Sequence, residues 1–319
     1  MAVNQGKIVI IGTSNVGSAV LNKIADFQLA SEIALIDLDM DRARGEALDT
    51  SHAMSSPYST NIKIHPGSYE DCKDAAFIVI TAGPSILPGQ TPDRLKLAST
   101  NTKIMRSIFS EITKQTKEAM VIMVTNPLDV ATYVVSTEFD YPREKILGTG
   151  TMLETYRFRY ILAEHYDMDP KNIHGYVLGE HGNDAFVAWS TVNCAGFGIE
   201  HLDEYFHAKE KLRREDVEKG LIQTAYDVIN LKGYTNTGIA MVVCRFIKAI
   251  LFNEHTILPC AAAMKGEYGI SDVALSIPRM LTREGVVRSF EVRLPEEEME
   301  KLRRAQKSVR AALDGAGVK

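Results

Sequence analysis

Four short apolar runs, separated by stretches of helical periodicity, constrain the fold of this chain more than any other feature. They are "KIVII" (residues 7–11), "EIALID" (32–37), "FIVIT" (77–81) and "MVIMVT" (120–125), and each is continuously apolar rather than alternating. A strand that is apolar on both faces must be covered on both faces, as a parallel strand between two helical layers is. Helical patterns over 16–25 and 95–112 fill the gaps. The alternation predicts an α/β fold, a doubly wound parallel sheet of Rossmann type.

After about Gly150 the pattern is less regular. Helices are expected over 153–165, 214–229 and 238–253. The chain closes on an amphipathic helix with Leu302, Ala305, Val309 and Leu313 on one face, acids at its start and Gly315 at its end. We therefore expect a doubly wound α/β domain over residues 1–148 and an α+β domain over 149–319. A length of 319 residues suits two such units.

Composition removes several function classes. A net charge of −5 disfavours nucleic acid and anionic membrane as main partners. No apolar run approaches the roughly 20 residues needed to span a bilayer. The N-terminus enters a strand-like run without a basic leader, so a cytoplasmic location is expected. The four cysteines, Cys72, Cys194, Cys244 and Cys260, form no C-x-x-C pair and read as reduced apolar side chains. His52, His65, His165, His201, His207 and His255 show no ligand spacing, and no metal is expected.

The first strand runs into "GTSNVG", residues 12–17. Gly12 allows a tight turn, Gly17 allows the following helix to pack close to the strand, and Asp37 ends the next strand. An acid at that place accepts hydrogen bonds from ribose hydroxyls and repels a 2′-phosphate, which favours NAD over NADP. Ser14 replaces the middle glycine of the fingerprint. It is small, and the helix N-terminus behind it still offers N–H donors to a pyrophosphate.

Three further segments carry groups suited to chemistry. "LGEHGND" (178–184) sets His181 in a turn flanked by glycine. "GTGTMLETYRFR" (148–159) puts Glu154 and Arg157 one turn apart on one face of a helix start. "GPSILPGQTPDRLKLASTN" (83–101), with Arg94, is a long loop at a strand's carboxyl end and a natural lid. "TNPLD" (125–129) ends another strand, points Asn126 into the same crevice and offers a cis Asn126–Pro127 bond.

With "GEHG", the spaced "E..R" helix and the lid arginine together, the chain resembles the lactate/malate dehydrogenase family along essentially its whole length. "LGEHGN", "FVAWSTV" and "KGYT" are similar to its L-2-hydroxyisocaproate dehydrogenase branch. The resemblance implies reversible NADH-dependent reduction of a 2-oxo acid, with pyruvate and L-lactate the first expected pair and longer 2-oxo acids the alternative. It implies that His181 gives the proton to the carbonyl oxygen, that Glu154 stabilises its imidazolium, and that Arg94 polarises the carbonyl. It makes Arg157 the clamp on the substrate carboxylate, Asn126 a contact to the reacting oxygen, and Thr235 part of the substrate wall. Asn15, Val16, Thr81, Gly83 and Asn101 join Gly12, Ser14, Gly17 and Asp37 as cofactor-lining positions. Such chemistry needs a positioned acid and a fixed cation where negative charge develops, and a planar guanidinium suits a carboxylate.

Several positions depart from the family's pattern. Glu154 stands where aspartate is usual, the lid is longer than the common form, and Thr237 stands where lactate enzymes often carry tryptophan. Malate enzymes place an arginine near Ile86 or Leu87. Both are apolar here, so a second carboxylate would lack its charged hydrogen bonds, worth about 1.5–3 kcal/mol each. Arg159 and His174 match positions that bind fructose 1,6-bisphosphate in bacterial members, and the resemblance implies a homo-oligomer, a tetramer in the first instance. An NAD-dependent glycosidase would need a metal held by Cys and His, which this chain does not offer. A non-catalytic relative would have no need of His181, Arg157 and Arg94 together.

Overall fold

The computed structural model describes residues 6–84 and 94–318, with the main chain alone over 94–96. The elements of the first half are β1 (Lys7–Ile11), α1 (Asn15–Asp26), β2 (Glu32–Ile36), α2 (Met40–Ala53), β3 (Lys63–Pro66), β4 (Ala75–Ile80), α3 (Arg94–Gln115), β5 (Met120–Met123), α4 (Leu128–Glu138) and β6 (Ile146–Gly148). Then come α5 (Met152–Tyr166), β7 (Ile173–His174), β8 (Val177–Gly179), β9 (Ala185–Val187), β10 (Asn193–Cys194), β11 (Phe197–Gly198), α6 (Leu202–Tyr205), α7 (Arg214–Lys232) and α8 (Thr237–Leu251). The chain ends with β12 (Thr256–Ala263), β13 (Ala274–Thr282), β14 (Gly285–Ser289) and α9 (Glu296–Gly315).

Strands β3, β2, β1, β4, β5 and β6 lie side by side in that order and all parallel. The switch point between β1 and β4 is where such sheets open a crevice for ligands. Alternate residues of one strand serve the two helical layers. Ile8 and Ile10 pack with Val20, Leu21 and Ile24 of α1 and with Val243 and Phe246 of α8. Val9 and Ile11 face Phe109 and Ile112 of α3. All four strand residues are buried, which is why the runs read as continuously apolar.

At Gly148 the sheet changes character. β6 is parallel to β5 but antiparallel to β12, and β13, β8, β9 and β14 continue the antiparallel part. The closing helix buries Leu302, Ala305, Val309 and Leu313 against Leu178 and Phe186 of β8 and β9. Two strands of the parallel sheet escape a reading by hydrophobic pattern. β3 is an edge strand that ends in a proline, and β6 is three residues long.

Among the described residues no helix is long and apolar enough to cross a membrane. All four cysteines are free and buried, and burial pushes the Cys72 and Cys244 thiols up to about 12. One cluster, Glu32, His65 and Asp71, has its side chains close enough to share a cation. It is already served by the Lys7 ammonium, 3.3 Å from Asp71 and 3.7 Å from Glu32.

Candidate active site

The glycine loop is built for close approach. Gly12 has φ +97°, and a Cβ there would fall 2.6 Å from the Ala82 nitrogen. A Cβ on Gly17 would fall 1.9 Å from the Gly12 carbonyl oxygen. Each site therefore requires glycine. Ser14 is the N-cap of α1 but its hydroxyl makes no capping bond, so the first N–H groups of the helix still face outward with the positive end of its dipole.

Asp37 sits at the end of β2. Its Oδ2 accepts the Thr13 N–H at 2.6 Å and the Thr13 hydroxyl at 2.8 Å, and its Oδ1 accepts the Asp39 N–H at 3.0 Å. Burial pushes this carboxyl up, but these hydrogen bonds outweigh it and the net shift is downward. Three bonds leave about one acceptor position of an ionised carboxylate for a ribose hydroxyl. The residues present thus fit a dinucleotide: a cradle that any Cβ would fill, an uncapped helix start and an ionised acid beyond it. Thr81 donates to the Gly12 carbonyl at 2.7 Å and braces the loop from β4. Asn101 of α3 donates to the carbonyls of Pro84 and Asn126 at 3.1 and 2.5 Å, and a Cβ on Gly83 would fall 2.9 Å from its Oδ1.

The Asn126–Pro127 peptide is cis, and α4 begins directly after it. The Asn126 side chain is exposed at this edge. From the other side, α5 presents Glu154 and Arg157 on one face. His181, on the turn after β8, brings its Nδ1 within 3.1 Å of Glu154 Oε1, and Arg157 Nη1 lies 3.6 Å from the same oxygen. The longer glutamate therefore reaches the imidazole from its place in the first turn of α5. Desolvation lowers the pKa of the imidazole, but the Glu154 carboxylate 3.1 Å away, with help from Asp129, carries it up to about 9. Desolvation likewise raises Glu154, and His181 and Arg157 bring its net shift below the ordinary carboxylate range.

The third wall comes from α8. Thr235 is half-buried just before the helix cap, and Thr237 is exposed in its first turn. Gly238 lies so near α5 that a Cβ would fall 2.7 Å from Leu153 Cδ1. Asn236 caps α8 through the Thr237 N–H at 2.8 Å and donates to the Asn15 carbonyl at 3.3 Å. One residue thus ties the cofactor loop to the start of α8, which packs on α5. Ile86 and Leu87 lie outside the described residues, and of Arg94 only the main chain is described, as the first residue of α3.

Two residues that sequence reading passed over stand at this site. Asn236 resembles an ordinary helix cap, and only the fold shows its second bond. Asp129 looks like an acid in a helix first turn, yet it is buried and its Oδ2 accepts the main-chain N–H of His181 at 2.7 Å. Arg159 Nη2 donates at 3.3 Å to the carbonyl of Gly175, the residue that follows His174 in the chain. A surface cavity of about 490 Å³ is lined by Arg159 together with Tyr156, Arg157, Tyr160, Lys171 and Thr224, among others.

A dinucleotide cradle at a switch point, facing a histidine–acid pair with a nearby guanidinium, defines an NAD-dependent oxidoreductase. The chain belongs to the lactate/malate dehydrogenase family. The model of the family's NAD-binding domain matches residues 6–148, and that of its alpha/beta C-terminal domain matches residues 151–317. The chain is 72% identical over 316 residues to an L-lactate dehydrogenase of Selenomonas ruminantium, covering 99% of both chains. It is 48% identical to L-lactate dehydrogenase 2 of Clostridium acetobutylicum, over 98% of this chain and 97% of that one. Among solved structures it is similar to the ligand-bound minor L-lactate dehydrogenase of Enterococcus mundtii, at 35% identity with a TM-score of 0.90 over 97% of each chain.

Proposed function

We propose that this chain interconverts pyruvate and L-lactate, with His181 as the proton donor in the reducing direction. The observation that carries the reading is the His181–Glu154 contact at 3.1 Å, with Arg157 on the same helical face. NAD, when bound, supplies or accepts the hydride. Gly12, Ser14, Asn15, Val16 and Gly17 would hold its pyrophosphate and Asp37 its ribose, with Thr81, Gly83 and Asn101 along the same edge.

The rest is done by the chain's own side chains. Arg157 takes the substrate carboxylate as a planar fork and orients the carbonyl toward His181. The imidazolium donates its Nε2 proton to the oxygen on which negative charge develops, and Glu154 at Nδ1 keeps the resulting imidazole in one tautomer and orientation. Arg94 and Asn126 add positive potential and a hydrogen bond at the same oxygen, and Thr235 forms the wall behind it. In lactate oxidation the neutral His181 takes the hydroxyl proton.

Thr237, small and at the substrate wall, favours tolerance of larger side chains as a second reading, that of a broad L-2-hydroxyacid enzyme. One methylene in an apolar pocket is worth only about 1–3 kcal/mol. The test is NADH oxidation with pyruvate, 2-oxoisocaproate and oxaloacetate, ranked by kcat/KM. Pyruvate is expected to lead and oxaloacetate to trail it by at least about tenfold, or about 1.4 kcal/mol. A lead for 2-oxoisocaproate would transfer the chain to the second reading, and a lead for oxaloacetate would overturn both. We further propose that the enzyme works in the cytoplasm as a homotetramer, and that fructose 1,6-bisphosphate binds at Arg159 and His174.

A further inference from the structure

Glu154 grips the imidazole ring of His181, but the turn that carries the ring needs its own anchor. Three main-chain bonds are internal to the turn and its exit. Gly182 donates to the Glu180 carbonyl, Ala185 to the Gly182 carbonyl, and Asp184 to the Glu180 carboxylate, at 3.0, 3.4 and 3.4 Å. The fourth leaves the turn: the His181 N–H donates to Asp129 Oδ2 at 2.7 Å. It is the shortest of the four, and it ties the turn to α4, directly after the cis peptide that presents Asn126.

Asp129 is an expensive choice for that task. It is 2% exposed, and its Oδ1 is buried with no hydrogen-bond partner among the described residues. A neutral amide would accept the same main-chain bond without the desolvation cost of a carboxylate. The N-terminus of α4 favours a negative charge there, yet burial pushes the carboxyl up to about 7. The charged groups around the pair are Glu154 and Arg157 from α5, Glu180 from the turn itself and Arg279 from β13. Within this set Asp129 and Glu154 both favour the protonated imidazole, while Arg157 opposes it.

We propose that Asp129 is a positioning residue for the proton transfer: it clamps the main chain of His181 and supplies a second negative charge that keeps the imidazole protonated. The inference rests on the reading of His181 as proton donor. It explains why an acid stands where an acceptor alone would serve the backbone.

The test follows the protonation of His181 in Asp129→Asn and Asp129→Ala by two routes. One is the pH profile of kcat/KM for pyruvate with NADH. The other is the pH dependence of diethyl pyrocarbonate modification of His181, with His181→Gln as the blank, which requires no turnover. Both variants are expected to move the alkaline limit down by about half a unit or more. Asp129→Ala, which also loses the clamp, is expected to lose a further tenfold or so in kcat with NADH affinity unchanged. A purely structural role would lower the melting temperature and leave the limit where it is. A limit unchanged from wild type in either folded variant overturns the proposal. Should wild type fail to reduce pyruvate, the functional reading falls, and the modification profile still decides the role of Asp129.

Discussion

His181 holds its proton at neutral pH because the charge of Glu154, helped by Asp129, outweighs the cost of its burial. With the imidazole raised to about 9, pyruvate reduction should stay level below that pH and decline above it, while lactate oxidation should rise through the same region. The sign for stability agrees. A folded pKa above the unfolded 6.5 contributes stability that is complete below 6.5 and lost as pH rises through 9. Glu154→Gln keeps the size and removes the main attracting charge, so the limit should fall toward 6.5. Reduction at pH 8 should then drop by roughly tenfold or more relative to pH 6. A profile identical to wild type would take Glu154 out of that role. At this scale the sequence showed Glu154, Arg157 and His181 by type and local spacing. Asp129 was on view in "TNPLD", but its bond to His181 spans 52 residues and no local pattern carries that information.

The glycine loop is a property of an element, the join of β1 to α1. Asp37 and the glycines were legible because strand, turn and helix follow in order along the chain. Asn236 was not, because its bond to the Asn15 carbonyl exists only after α8 packs on α1. Gly17→Ala tests the join. A Cβ 1.9 Å from the Gly12 oxygen cannot be accommodated unless the backbone shifts. We expect a loss of about 1–3 kcal/mol of stability in thermal denaturation. In a fluorescence titration, NADH affinity should be weakened by about tenfold or more. Wild-type values in both measurements would show that α1 does not pack as described.

For the molecule as a whole, apolar side chains remain exposed along several helices. Met40 and Leu48 lie on α2, Ile222, Tyr226 and Leu231 on α7, and Met241 on α8. These side chains are candidate contacts between copies in the proposed tetramer. Arg159 is largely buried, which lowers its pKa through desolvation, and an anionic ligand would offset that cost. Millimolar fructose 1,6-bisphosphate should lower the pyruvate KM and raise the mass seen by light scattering, and Arg159→Leu should abolish both responses. No change in either quantity for wild type would remove the effector from the account.

The sequence by itself determined the class of fold, the cofactor and the chemical types at the site, because these rest on local order: apolar runs, a glycine turn, paired charges on one helical face. The edge strand β3 and the three-residue β6 lacked enough pattern to be read. Only the tertiary structure decided how far a glutamate reaches toward His181, that a buried acid on α4 anchors the turn carrying it, and that α8 is tied to the cofactor loop. Those contacts join residues far apart in the chain, and their geometry is set by packing rather than by neighbouring residues.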